Sequence, residues 1–158
     1  MTISADTRTP YLPGQPRNRY QIDCAGALLH VHARSLATVV RVDGDIDASN
    51  ADLVIQATRR FLRLKAPLIL DLSHLDFLGS AGLRALLTLG DEHQQAQVPC
   101  SVVSGEALRR LTQVIPDHGL PLVASVPEAL QRIEEVIRVR RRFVSGLARQ
   151  QEPQSCRG

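Results

Sequence analysis

Residues Ala66-Pro-Leu-Ile-Leu-Asp-Leu-Ser-His-Leu-Asp-Phe-Leu-Gly-Ser-Ala-Gly-Leu-Arg-Ala-Leu-Leu87 change period partway along. Leu68 to Leu72, entered through Pro67, is a short and nearly unbroken apolar run, which suits a strand buried on both faces. Further on, Leu83, Leu86, Leu87 and Gly90 recur at helical spacing, so a helix opens near Ser80 and lays that stripe against the sheet. Between the two lies Gly79-Ser80-Ala81-Gly82, which puts one hydroxyl at a helix start, where free backbone amides favour negative charge.

Two chemistries use a serine at such a junction, and a third reading needs no chemistry. A hydrolase nucleophile elbow, Gly-x-Ser-x-Gly, requires a glycine where this chain has Leu78. The chain also lacks a Gly-rich oxyanion loop, and 158 residues is short for that fold. A phosphoacceptor needs only an accessible hydroxyl, because phosphate adds about 1.5 to 2 negative charges at one point and remakes a docking surface. Alternatively, Ser80 serves only as the helix N-cap.

The run Asp71-Leu-Ser-His-Leu-Asp-Phe-Leu-Gly-Ser-Ala-Gly-Leu83 resembles the signature of the STAS domain, the fold of bacterial anti-sigma factor antagonists. In that family Asp-Ser-[Ser/Thr]-Gly-Leu opens the helix, with the serine as phosphoacceptor. Ser80 falls on the acceptor, Ala81 on the next hydroxyl residue, and Gly82-Leu83 on the glycine and helix start, while Gly79 stands where the family carries aspartate. Upstream, Val42-Asp-Gly44-Asp45-Ile46-Asp47 is similar to the family's Gly-Glu-Leu-Asp loop before its first helix. The resemblance covers roughly residues 20 to 137. It implies a single α/β domain, a mixed β-sheet opened by a hairpin and covered by about four helices.

Composition bounds the alternatives. At 158 residues the chain makes one domain, with 44% apolar residues to fill its core and only 3% aromatic ones, so that core is aliphatic. No apolar run approaches the roughly 20 residues that span a bilayer and the N-terminus has no hydrophobic signal core, so a cytoplasmic protein without a membrane partner is expected. Cys24, Cys100 and Cys156 are odd in number and far apart, which suits reduced thiols. The net charge of +3 conceals an asymmetry: residues 1–19 carry +2 and residues 138–158 carry +5, leaving −4 for residues 20–137. The acidic centre and the scarcity of aromatics argue against nucleic acid, although Arg138 to Arg142 would be its contact.

Along the chain, residues 1–19 hold three prolines and no apolar period, and are expected to be a disordered arm. Ala27–Ala33 and Thr38–Val42 read as a hairpin turning at Arg34–Ala37. His30 and His32 share one strand face, but no third ligand accompanies them, so no metal is expected. The three carboxylates of Asp43 to Asp47 lack the ligand spacing of a calcium loop and suit an acidic turn, with Asp47 or Ser49 capping the next helix. Helices are expected over Ala48–Lys65, with Leu53, Ala57, Phe61 and Leu64 inward, and from Ser80 to about Gln95. A strand over Val98–Val103 precedes a short helix capped by Ser104. An edge strand over Leu120–Ala124 leads to a helix opened by the capping box Ser125-Val-Pro-Glu128. The STAS domain is expected to end near Ile137, with a basic extension over 138–158.

The resemblance implies a regulatory binding module rather than an enzyme, and no cofactor. Unphosphorylated, it would bind an anti-sigma factor, in this family usually a serine kinase of the histidine-kinase-like ATPase class, and so free a sigma factor. The docking patch would comprise Asp43, Gly44, Asp45 and Asp47 with Gly79, Ser80, Ala81, Gly82 and Arg84, and phosphate on Ser80 would close it. A separate Ser/Thr kinase could act on the arm at Thr2, Ser4, Thr7 or Thr9. The main alternative is a module never phosphorylated at Ser80, because Gly79 replaces the aspartate, and controlled instead through the arm or through Cys24 and Cys100.

Overall fold

The computed structural model describes residues 19–150. Seven strands form one sheet: β1 (Arg19–Asp23), β2 (Ala27–Ala33), β3 (Thr38–Ile46), β4 (Leu68–Asp71), β5 (Leu75–Leu78), β6 (Cys100–Val103) and β7 (Leu122–Val123). Four helices accompany them: α1 (Ala51–Arg63), α2 (Ser80–Ala96), α3 (Glu106–Thr112) and α4 (Val126–Gln150). The sheet order is β1-β2-β3-β4-β6-β7, with β5 beside β3 off this path. β1 to β3 form an antiparallel meander and the remaining pairings are parallel, so the expected mixed sheet with its opening hairpin is observed.

The pleat sorts the core into two layers. Val40, Val42, Leu68, Leu70 and Val102 face α1, α2 and α3, where Val54, Phe61, Leu83, Leu86, Leu89 and Leu108 meet them. Val39, Ile69, Val103 and Val123 point the other way, onto Ala129 and Ile133 of α4. The core is aliphatic apart from Phe61. Because α4 covers only the β4–β6–β7 side of its face, the meander keeps polar side chains there: His30 lies between Gln21 (3.2 Å) and Asp43 (2.9 Å).

Two strands were not expected. β1 is an edge strand whose half-buried residues are only Tyr20 and Ile22, and it begins at Arg19, inside the span read as the arm. The rest of that arm, with Thr2, Ser4, Thr7 and Thr9, lies outside the described residues. β5 runs buried, exposed, exposed, buried, a pattern without the period-2 alternation that betrays a strand. Its existence follows from the length of β3: Thr38–Arg41 pair with β4, and Gly44–Ile46, with a register shift between Gly44 and Asp45, pair with β5.

The helix phases also needed correction. In α1 the buried residues are Ala51, Val54, Thr58 and Phe61, while Leu64 is 75% exposed, so the inward face is centred one position later than Leu53 and Ala57 indicate. Thr58 is accommodated because its hydroxyl donates to the carbonyls of Val54 and Ile55. α1 closes before Pro67, at Lys65 in the left-handed region (φ 54°), with the Ala66 amide donating to the Phe61 carbonyl. The box at Ser125 forms: the Glu128 amide donates to Ser125 Oγ (3.3 Å), and Glu128 Oε2 accepts from the Ala124 amide (2.9 Å). α3 is capped by Gly105 rather than Ser104. α4, whose helical pattern extends into Arg138 to Val144, runs to Gln150.

α1 and α2 are joined by a bidentate ion pair, Arg59 Nη2 to Glu92 Oε1 at 2.6 Å and Nε to Oε2 at 3.0 Å. The Arg59 hydrogen bond holds the Glu92 carboxyl below its ordinary pKa. A carboxylate more acidic in the folded chain stabilises fully above its unfolded pKa, and that contribution is lost as pH falls through the folded value. Arg59→Ala is therefore expected to be slightly less stable than wild type at neutral pH, the loss being small because both partners are partly solvated. In urea titrations the gap from wild type should narrow as the pH falls below the ordinary glutamate range.

Candidate partner-docking site

β5 carries the chain to the C-terminal end of β3, and this places the Ser80 junction. The Gly79 amide donates to the Ile46 carbonyl (2.8 Å), and the Leu83 amide donates to the Gly79 carbonyl (3.0 Å) as α2 begins. Gly79 is the N-cap, with extended backbone (φ −82°, ψ 171°). Ser80 is thus the first residue of the helix, exposed, and among the described residues its hydroxyl has no hydrogen-bond partner. A capping serine would spend its oxygen on the amides of the first turn; this one does not.

The acidic bend lies alongside. A Cβ placed on Gly79 would stand 3.6 Å from the Asp47 Cα and 3.4 Å from the Phe77 ring, both ordinary contacts, so a β-carbon is tolerated here. Asp45 is exposed and Asp47 half-buried. Asp47 Oδ1 accepts from the Ser49 hydroxyl and from its amide (2.9 Å), and these bonds, the hydroxyl first, depress its pKa. The free hydroxyl thus stands at the positive end of a helix, next to Gly79, which abuts the Asp47 backbone, with Ala81 half-buried and Arg84 exposed a turn further on.

Not all the expected patch is at the surface. Asp43, next to inward-facing Val42, points to the face of the sheet away from α1 and α2, where it pairs with His30 and with Arg41 (Nε 3.1 Å, Nη2 3.0 Å). Gly82 is buried: a Cβ there would stand 2.6 Å from Leu78 Cδ1 and 2.8 Å from Ile46 Cγ2, so its lack of a side chain lets α2 close onto the sheet. Gly44 shapes the bend from within, at φ +94° on the register shift of β3.

Two residues went unnoticed in the sequence. Asn50, 1% exposed, holds the bend: Oδ1 accepts from the Asp47 amide (2.9 Å), while Nδ2 donates to the carbonyls of Asp45 (2.7 Å) and Ala25 (3.3 Å). An asparagine directly before a helix was the available signal, but it suggests a cap, whereas α1 receives no side-chain cap bond from Asn50. Phe77, one of three phenylalanines, is 52% exposed beside Gly79. Adjoining the junction, a groove of about 460 Å³ between α1 and α2 is lined by residues including Asp52, Ile55, Ala81, Arg84 and Thr88.

The other candidate chemistry is weakly supported by its surroundings. Cys24 and Cys100 are free thiols, and burial pushes them up to about 11 and about 12, with Asp23 adding to the rise at Cys24. Almost no thiolate is therefore available at neutral pH. Cys156 lies outside the described residues. Among the described residues no group of three or more His, Cys, Asp or Glu is placed to hold a metal ion, and no helix is long and apolar enough to cross a membrane.

An exposed serine opening a helix beside an acidic bend, on a mixed sheet with three helices on one face and one on the other, defines a class that comparison identifies. The STAS domain model matches residues 29–129, and the chain belongs to that family. It is 32% identical over 128 residues to Osmosensory protein A of Mycobacterium tuberculosis (strain ATCC 25618 / H37Rv), covering 78% of this chain and 81% of that one. Among solved structures it is similar to an anti-sigma factor antagonist from Mycobacterium paratuberculosis, 30% identical with a TM-score of 0.62, over 68% of this chain and 94% of that one. The fold is shared with the anti-sigma factor antagonist SpoIIAA in its unphosphorylated form, 17% identical with a TM-score of 0.57, over 68% of this chain and 96% of that one.

Proposed function

We propose that this chain is an anti-sigma factor antagonist: a binding module that docks an anti-sigma factor, itself a serine kinase, and thereby frees a sigma factor. The observation that carries this reading is the Ser80 hydroxyl, exposed and unbonded at the opening of α2. Asp45, Asp47, Ser80 and Arg84 form the rim of the docking surface, and Phe77 supplies an apolar anchor at its edge. Phosphate on Ser80 adds charge beside Asp45 and Asp47, so the surface that accepted a neutral hydroxyl repels an acidic neighbour and no longer fits. The domain itself tolerates the change, because negative charge suits a helix N-terminus.

A second reading keeps the docking surface without phosphorylation at Ser80. Gly79 favours it, since the carboxylate usual at that position is missing although space for a side chain exists. Control would then fall to a separate Ser/Thr kinase acting on the arm, because the buried thiols are poorly placed to respond.

Affinity capture from cell extract with wild type and Ser80→Asp side by side, coupled to phosphate mapping after incubation with the captured kinase, distinguishes these readings. The expected result is capture of an anti-sigma factor by wild type, at least about tenfold weaker capture by Ser80→Asp, and a melting temperature changed by no more than a few degrees. Equal capture by both proteins would remove the switch at Ser80 and leave the docking surface.

A further inference from the structure

Only the first half of α4 is used by the domain. Ala129 and Ile133 are buried and Ile137 half-buried, but every residue from Arg138 to Leu147 is exposed. Among the described residues, the last side-chain hydrogen bond to the body is Arg140 Nη1 on the Gln97 carbonyl (2.7 Å), at the C-terminal end of α2. Val136, Val139, Phe143 and Leu147, spaced three, four and four residues apart, form one stripe, with exposures from 39% to 67%. Along one edge of it lie Glu135, four residues before Val139, and Arg142, three after. Glu134 and Glu128 are paired locally with Arg138 and Arg132, but neither Glu135 nor Arg142 has a hydrogen bond or ion pair among the described residues. Two turns apart, roughly 10 Å along the axis, they cannot reach each other.

We propose that this face packs against the same face of a second copy of the chain, with the two α4 helices antiparallel about a two-fold axis at Val139. In an isologous contact of this kind each residue on one side of the axis meets its counterpart on the other. Val136 then meets Phe143 of the second copy, and Phe143 meets Val136. On the flanking edge Glu135 meets Arg142 of the second copy, twice, so these two charges are satisfied. The placing of acid and base on either side of Val139 selects this occupant. An anionic surface would attract the exposed arginines from Arg138 to Arg142 but would leave Glu135 without a partner, whereas a second copy supplies one. The inference is independent of the proposal for Ser80, since α4 lies on the opposite face of the sheet from α2.

The test is the oligomeric state of the full chain, by light scattering after size exclusion and by sedimentation equilibrium. Wild type is expected to dimerise reversibly below about 100 µM, as suits a contact made largely by one helix pair. Glu135→Arg and Arg142→Glu, each placing like charges opposite one another, should weaken dimerisation about tenfold or more. The double variant should recover to within about threefold of wild type, because the pairing is reversed but intact. Phe143→Asp should leave only monomer. A wild type that stays monomeric at that concentration, or a double variant no better than the singles, overturns the proposal. So does salt-sensitive binding to DNA or to phosphatidylglycerol vesicles that Arg142→Glu abolishes, if the wild type shows no dimer.

Discussion

Asn50→Asp is expected to destabilise the chain by about 3 kcal/mol at neutral pH, lowering the melting temperature by on the order of 10 °C. The side chain is almost wholly enclosed and makes three bonds to backbone groups, two as a donor to the carbonyls of Asp45 and Ala25. A carboxylate of the same shape keeps the acceptor for the Asp47 amide but turns a negative oxygen toward those two carbonyls, next to two existing acidic residues. Burial without a donor raises the new carboxyl's pKa in the folded chain. The penalty is therefore smallest below its unfolded pKa, where the protonated group can still donate once, and grows as pH rises. Urea unfolding of variant and wild type at pH 7 and near pH 4 checks both magnitude and direction. A penalty no larger at pH 7 than at pH 4 would show that Asn50 does not act through these bonds. Because the bend flanks Ser80, partner capture should fall even at temperatures where the variant remains folded.

Gly44→Ala is expected to have an effect of similar size, about 3 kcal/mol or more, for a steric rather than an electrostatic reason. Gly44 has φ +94°, and a Cβ there would lie 2.3 Å from the Gly26 carbonyl oxygen. That oxygen is not free to retreat, since it accepts from the Asp45 amide (3.0 Å), and Gly26 is itself at φ +112° in the β1–β2 turn. The turn and the bulge of β3 thus interlock through two glycines, and relief of the clash must move Asp45. Gly119 serves as the control, with φ +71° and open space around its Cβ position, so its alanine variant carries only the dihedral strain of about 1 kcal/mol. Equal losses at the two positions, read from thermal unfolding, would refute the interlock.

Much of the architecture was readable in the chain because burial and period coincide there. Leu68–Asp71 is buried at every position, as an unbroken apolar run implies for a central parallel strand. The hairpin, the helix from Ser80 and the box at Ser125 likewise rest on contacts a few residues long. β5 was not readable, because its two inward residues are three apart and its pairing is dictated by the free end of β3, some thirty residues upstream. The phase of α1 was missed for a related reason: buried Thr58 looks polar until its hydroxyl is seen to be satisfied within the helix. Around the proposed site, the motif indicated a serine at a helix start beside an acidic bend, but it did not indicate that Gly82 is buried, that Asn50 ties the bend or that Phe77 is exposed.

The local order of the chain, then, determined which run is a central strand, that the core is aliphatic and that a serine among small residues opens a helix. These depend on propensity and period, which operate over a few residues and are written into the sequence directly. Only the tertiary structure decided which side chains near Ser80 reach solvent, that Asp43 is neutralised on the far face, that an asparagine pins the bend, and that half of α4 leaves the body uncovered. Each of these outcomes depends on how distant strands pair and which face of the pleat a residue takes. A one-residue shift in that register reverses the answer without altering any local pattern.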